Sequence, residues 1–342
     1  MRIHIIPLIL FLFSFISAGF LWKVHCFKEN PHKQIFSNGL HPVSTGAESM
    51  PDKIRSENCG SCHSDIYRNW KSDRHANSWT NDLFQKAYKI ETKDWCIHCH
   101  APLEVQKNSI KNGYGNSGLI HESEGINCAG CHIRNGRGVS LDYLKKPEFC
   151  AECHQFNFPV FQGENFHYSS HPMQDTFQEW KKSDSKKTCL ECHFKNHKLE
   201  GPHSKNWLKE QFTDFAAYAD GGPVTISFKL KDHGHRSPTG DLFRSFVLEA
   251  STDPGFKNIY FRKKWARFFQ DGFLEKNVIW KRNLKVNSGF FPEESSVSIT
   301  VDRPADVIYA RFIYYYHDPD LGGITDLPPE KTQILIWQKK IN

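Results

Sequence analysis

Ten of the 11 cysteines in the 342-residue sequence stand in one repeated pattern, C-x-x-C-H. The copies are Cys59–His63, Cys96–His100, Cys128–His132, Cys150–His154 and Cys189–His193. With this cysteine and histidine content, random placement gives only about 0.02 copies. In this pattern the thiols Cys59 and Cys62, Cys96 and Cys99, Cys128 and Cys131, Cys150 and Cys153, and Cys189 and Cys192 would add to the vinyl groups of a c-type haem. The adjacent His63, His100, His132, His154 and His193 would be proximal iron ligands. Five motifs imply five c-type haems. A zinc site would close its cysteine pairs with a second pair or with histidines at finger spacing, and would not need a histidine directly after every pair. Disulfides within each C-x-x-C would be strained and poor staples.

The chain must bring these motifs together over short intervals. Their starts at 59, 96, 128, 150 and 189 leave room for one or two helices each, which forces neighbouring haems close. Apolar residues at helical spacing from Ile66 to Ala76, from Trp79 to Tyr88, from Met173 to Lys182 and from Asn206 to Ala219 predict helices. Only 39% of the residues are hydrophobic and the mean hydropathy is −0.58, so macrocycles would replace aliphatic core over 56–215. The net charge of +6 is nearly balanced by five ferric haems, each carrying about −1 with its propionates ionised. That balance removes the reason to expect a nucleic-acid partner.

At the N-terminus, Arg2 and His4 precede an apolar run from Ile5 to Trp22. Residues 1–22 are read as a signal peptide, cut after Ala18, or an N-terminal membrane anchor through residues 5–22. Either implies export to the periplasm, or membrane association facing it, which agrees with covalent haem attachment outside the bacterial cytoplasm. Cys26, outside the motifs and preceded by His25, is a lipidation candidate, a leftover thiol or an extracellular disulfide partner in a dimer. Residues 23–55, with Pro31, Gly39, Pro42, Gly46 and Pro51, read as a polar tether.

The order of the motifs carries a resemblance. C-G-S-C-H-S-D-I-Y-R-N-W-K-S-D-R-H-A from Cys59, C-I-H-C-H-A-P-L from Cys96, E-G-I-N-C-A-G-C-H-I-R from Glu124, F-C-A-E-C-H-Q-F from Phe149, and M-Q-D-T-F-Q-E-W before T-C-L-E-C-H resemble the multihaem cytochromes of the cytochrome c-554 type. The resemblance covers about residues 56–205. It implies a mostly helical wrapping around packed haems, electron transfer, and a distal-ligand role for His75 toward a different haem. Phe194 departs from it, standing where relatives often carry Met-Pro, which weakens a methionine ligand.

Distal ligation separates a carrier from an enzyme, because a six-coordinate iron exchanges electrons with little rearrangement whereas an open iron binds substrate. Nine histidines outside the motifs, tether and leader are available: 75, 121, 167, 171, 197, 203, 233, 235 and 317. His75, His121, His171, His203 and His235 are the candidate distal ligands.

Beyond Gly221-Gly222-Pro223 the texture changes to alternating β-branched and aromatic residues. Strands are predicted over 224–230, 246–251, 259–266, 278–286, 296–301, 307–315 and 334–337. The fold class is thus α plus β in two domains: a mostly helical pentahaem domain at 56–219 and an Ig-like β-sandwich at 220–342. The loop His233-Gly234-His235-Arg236-Ser237-Pro238-Thr239-Gly240 resembles G-H-x-x-P-T-G segments of cytochromes with this two-part layout, where the histidine can reach back to the haem domain. A plain turn is the alternative.

The reading is an exported pentahaem cytochrome c exchanging electrons with redox partner proteins or quinone-linked donors. The alternative is a multihaem reductase or oxidase of a small nitrogen or sulfur compound at one five-coordinate haem. Against it, no motif ends in lysine and no tight Arg/Tyr/His cluster flanks one motif along the chain. A third reading makes the β domain a binding module and the haems its redox sensor.

Overall fold

A computed structural model describes residues 54–90, 92–111, 124–162, 165–219, 222–231, 233–274, 278–287, 289, 296–324 and 326–342; the side chains of 159–162, 165–171, 269–274 and 278–287 are not described. The expected leader at 1–22, Cys26, most of the tether and His121 lie outside the described residues, as does the side chain of His171. No helix among the described residues is long and apolar enough to cross a membrane.

The haem-motif region is a string of short helices. Ser56–Gly60, Ser64–Lys71, Asp82–Ile90, Asp94–His100, Glu104–Lys111, Cys128–His132, Leu141–Leu144, Pro147–His154, Thr176–Lys182, Cys189–His193 and Lys205–Glu210 follow one another. Three hairpins interrupt them: β1 Ile133–Arg134 with β2 Arg137–Gly138, β3 Gln155–Gln162 with β4 Asn165–Asp175, and β5 Phe194–Lys195 with β6 Lys198–Leu199. Aliphatic packing here is thin. Ile54, Leu103 and Ala129 form one small cluster, and Trp79, Ile97 and Ala101 another.

The C-terminal strands form two sheets. β7 Phe212–Ala219, β8 Val224–Leu230 and β12 Ser296–Val301 make one, in the order β12-β8-β7. β9 Ser245–Ser251, β10 Ile259–Leu274, β11 Val278–Asn287, β13 Ile308–Tyr315 and β14 Gln333–Ile341 make the other, in the order β11-β10-β9-β13-β14. All pairings are antiparallel. Alternation sets the inward face: Val224, Ile226, Phe228 and Leu230 of β8 are buried, as period-2 geometry requires. They share one core with Phe246, Leu248, Ala250, Trp265, Phe312 and Ile336 of the larger sheet. Phe312 meets Phe212, Phe228, Phe246 and Trp265 at ring-centre distances of 4.9–5.9 Å, so Phe312→Ala should cost about 3–5 kcal/mol.

All seven strands expected beyond Gly222 are present. The helix expected over 206–219 is corrected: it ends at Glu210, and Phe212–Ala219 is strand β7, paired with β8. A bulge between Thr213 and Ala216, with Asp214 at φ 54°, breaks the alternation and leaves Phe212, Phe215 and Ala219 at helix-like spacing. Three other helices differ from expectation, the one over Trp79–Tyr88 running instead from Asp82 to Ile90. The one over Ile66–Ala76 stops at Lys71, and that over Met173–Lys182 starts at Thr176 because Met173–Asp175 ends β4.

Candidate haem-binding site

Each C-x-x-C-H occupies a helical turn or its immediate end. There, cysteines at i and i+3 share one face and the histidine at i+4 stands beside them. Asn127 caps the Cys128 turn by accepting the Gly130 N–H at 2.8 Å, and Thr188 with Glu191 forms a capping box at Cys189. None of the ten motif cysteines is in a disulfide. Side-chain hydrogen bonds link Cys59 to Cys128, Cys99 to Cys153 and Cys150 to Cys189. The first motif therefore abuts the third, the second the fourth, and the fourth the fifth.

The third motif is pinned most heavily. The Trp70 indole N–H donates to the Ile126 carbonyl at 3.0 Å, and the Gln106 amide donates to the Glu124 and Gly125 carbonyls at 2.9 Å each. The Ser56 N–H and hydroxyl donate to the Glu124 carboxylate at 3.1 and 3.2 Å. Burial pushes Glu124 above its ordinary range, opposed by its hydrogen bonds to Asn127 and Ser56. Gly125 lies so close to the preceding loop that a Cβ would fall 2.1 Å from the Ser78 hydroxyl and 2.5 Å from the His75 carbonyl.

The imidazoles are held by Nδ1. His100 Nδ1 meets the Ser78 carbonyl at 2.9 Å, His193 Nδ1 the Glu200 carbonyl at 2.7 Å, and His235 Nδ1 the Arg236 carbonyl at 2.9 Å. His154 Nδ1 lies 3.3 Å from the Gln174 amide oxygen, whereas the buried His75 Nδ1, 3.6 Å from Asp73, has no hydrogen-bond partner among the described residues. A carbonyl partner fixes the proton on Nδ1 and leaves the Nε2 lone pair for a metal. Burial, the largest cause at each, holds His75, His100, His154 and His235 down to about 4, so these rings are neutral.

Three pairs of imidazoles face one another across the motifs. His193 and His235 are 6.0 Å apart between ring centres and 6° from parallel; His75 and His154 are 6.2 Å apart; His132 and His197 are 6.3 Å apart. Two imidazoles on opposite sides of one metal, each nitrogen about 2 Å from it, put their centres roughly 6 Å apart. An open cavity of about 570 Å³, lined by Ile66, Asn69, Asn196 and His197, adjoins one of these pairs. Among the described residues no three His, Cys, Asp or Glu side chains converge to hold a bare ion. Paired imidazoles with thiols nearby and little aliphatic core therefore suit a thioether-bound iron macrocycle.

His75 and His235, among the candidate distal residues, are brought opposite proximal histidines, but His203 is not. Its ring stacks on Tyr316 at 4.6 Å, and its Nε2 lies 3.4 Å from Arg244. His197, outside the five candidate distal residues, does face a proximal histidine. The segments His132-Ile133-Arg134-Asn135-Gly136 and His193-Phe194-Lys195-Asn196-His197 form matching hairpins. Each returns a backbone N–H to its proximal histidine carbonyl, from Val139 at 2.8 Å and from Glu200 at 2.7 Å. Asn135-Gly136 takes positive φ, as an Asn-Gly turn does. His197 fills the glycine's place at φ 60°, a strained choice that signals use. Neither His100 nor His63 faces a second imidazole among the described residues; His100 instead stacks on Phe84 at 3.7 Å.

His235 comes from the loop between β8 and β9, which is fastened to the haem-motif region. The Ser183 hydroxyl donates to the Gly234 carbonyl at 2.8 Å, the Thr239 hydroxyl donates to Glu179 at 2.7 Å, and Arg267 donates to the Met173 carbonyl at 2.8 Å.

Residues 58–133 match the family described as "Cytochrome c554 and c-prime". No curated protein matches the chain. Among solved structures, a penta-heme cytochrome c552 from Thermochromatium tepidum has the same fold, with 18% identity, a TM-score of 0.64, and coverage of 85% of this chain and 99% of that one. The family match over 58–133 and the shared fold, taken with the five C-x-x-C-H motifs, support a multihaem c-type cytochrome.

Proposed function

We propose that this protein is an exported pentahaem cytochrome c that passes electrons along closely packed haems between redox partner proteins or quinone-linked donors. The three facing imidazole pairs carry this reading, because bis-imidazole irons change oxidation state with little ligand rearrangement. Haem supplies the one-electron chemistry when bound. The five thiol pairs fix its position, and His63, His100, His132, His154 and His193 approach it from the proximal side. His75, His197 and His235 oppose three of these, and His121 and His171 are candidates for the remainder. The thiol contacts between motifs support short edge-to-edge distances.

The two facing sheets support an Ig-like sandwich as the second domain, with the division near 219/220 crossed by the β7–β8 pairing. Its work in this reading is to present His235 and close the end of the haem chain. A spectroelectrochemical titration tests the proposal: the matured protein should take up five electrons per chain, all delivered through one donor. Uptake of fewer, or haems that do not equilibrate with one another, would overturn it.

A second reading, reduction or oxidation of a small compound at one five-coordinate haem, is favoured at one motif only. His100 lacks a facing imidazole among the described residues, and Arg74 and His203 lie within electrostatic reach of it, with Arg244 and Tyr316 beside His203. Such a cluster was not visible along the chain because its members lie far apart in sequence.

A further inference from the structure

We propose that the exposed lysines beside the fifth motif form the docking surface for a redox partner protein with an acidic face, and that electrons cross there between the partner and the haem held by His193 and His235. The proposal rests on the electron-transfer reading above and adds to it the port and the chemistry of the partner.

Charge is distributed unevenly over the five motifs. From eight residues before the first cysteine to six after it, the fifth motif carries the lysines 181, 182, 186, 187 and 195 against Asp184 and Glu191, a net +3 with histidine neutral. The same window is −1 at the first motif, 0 at the second, −1 at the third and −1 at the fourth. A ferric haem with ionised propionates lowers each by about 1, so the fifth motif alone stays positive. All five of its lysines are exposed. Cations near other motifs face carboxylates instead: Arg55 pairs with Glu57, Lys111 with Asp94, and Arg134 with Glu152.

The fold braces four of these lysines between the two ligand-bearing segments. The Trp180 indole N–H donates to the Lys187 carbonyl at 2.8 Å, closing a loop over 180–187. Inside it the Ser185 N–H donates to the Ser183 hydroxyl and the Lys187 N–H to the Ser185 hydroxyl, each at 3.3 Å. The Ser183 hydroxyl donates to the Gly234 carbonyl at 2.8 Å, one residue before His235. Directly after Lys187, Thr188 opens the capping box of the helix that carries Cys189, Cys192 and His193. The lysines thus border the haem whose imidazoles face each other at 6.0 Å.

Such a collar speeds and orients the approach of an oppositely charged surface, and a fixed backbone keeps the ordering cost of docking low. An anionic membrane is the rival occupant. Interfacial binding combines basic residues with an apolar face, yet among the described residues Phe194 is the only exposed large hydrophobic that adjoins this segment in the chain. The surface therefore suits an acidic protein.

Flavodoxin hydroquinone, an acidic donor, is the probe: it gives one electron to a ferric haem and becomes the semiquinone. Haem reduction in the oxidised five-haem protein is followed by stopped flow, with the neutral lumiflavin semiquinone as an uncharged donor. Changing Lys181, Lys182, Lys186 and Lys187 together to Glu should slow flavodoxin at least tenfold at low salt, remove most of the salt dependence, and leave lumiflavin at the parent rate. The same reversal at Lys89, Lys257, Lys263 and Lys340, exposed elsewhere, should slow flavodoxin by less than about threefold. Four Lys→Gln changes at the first set should give the same pattern at about fivefold, and are read in its place if the reversal impairs haem attachment. Equal slowing by the two sets, or none by either, overturns the port. Loss of binding to phosphatidylglycerol vesicles in the first set, with flavodoxin at the parent rate, assigns the lysines to a membrane and also overturns it. Failure of lumiflavin to reduce all five haems of the parent would overturn the electron-transfer reading instead.

Discussion

The imidazoles of His193 and His235 stand parallel with ring centres 6.0 Å apart, although one belongs to the last haem motif and the other to a loop between two strands of the C-terminal sheets. In the proposed function this pairing makes the β region part of the redox centre. His235→Ala should convert one low-spin iron to high-spin without loss of a covalent haem, and should raise that haem's potential because an imidazole is replaced by weaker water ligation. Unaltered spin state and potentials would return the loop to the role of a turn.

Gly234 offers a second route to the same pairing. A Cβ there would meet the Ser185 hydroxyl at 3.1 Å and Trp180 at 3.2 Å, so a bulky residue pushes the loop off the Thr176–Lys182 helix. Gly234→Val should give the same high-spin signal as His235→Ala, with faster limited proteolysis between residues 219 and 240. Parent-like proteolysis and spin state would show that the loop is held by other contacts.

Asp73 joins two ligand-bearing segments. Its buried carboxylate accepts the His75 N–H at 2.6 Å and also the Leu199 N–H of the hairpin that carries His197. Burial pushes this acid above its ordinary range against the pull of those two hydrogen bonds. Asp73→Ala strands both N–H groups at about 1–3 kcal/mol each. Thermal unfolding should fall accordingly, and the haems served by His75 and His197 should both show altered low-spin signals. An effect on one alone would contradict the link.

His197→Gly separates strain from ligation. Relief of a non-glycine φ of 60° is worth about 1 kcal/mol or more to the hairpin, whereas the iron facing His132 loses a ligand. The expected variant has a high-spin iron and a hairpin no less protected from hydrogen exchange than the parent's. Retention of every low-spin signal would remove His197 from the ligand set.

Much of this was legible in the sequence, for reasons that differ by region. The C-x-x-C-H turns are local: five residues contain the thiols, the ligand and the helical geometry, so no tertiary information is needed. The C-terminal strands announce themselves through period-2 burial, as in Val224–Leu230. Strand β7 escaped because the bulge at Asp214 destroys that period. The β3–β4 hairpin escaped because neighbouring motifs led to an expectation of helices. Opposing ligands were harder, since His75, His197 and His235 meet their partners through tertiary folding alone. Even so, His197 carried a local signal, a histidine where the sister hairpin has Gly136. The Arg74–Arg244–His203 grouping had none, being assembled from three distant segments.

The central claim is that irons sit between facing imidazoles at His132/His197, His154/His75 and His193/His235. Electron paramagnetic resonance of the fully oxidised, five-haem protein tests it most directly by counting spins per chain. The account predicts at least three bis-imidazole low-spin irons, with one low-spin signal lost in each of His75→Ala, His197→Ala and His235→Ala. Fewer than three low-spin irons, or three variants indistinguishable from the parent, would contradict it.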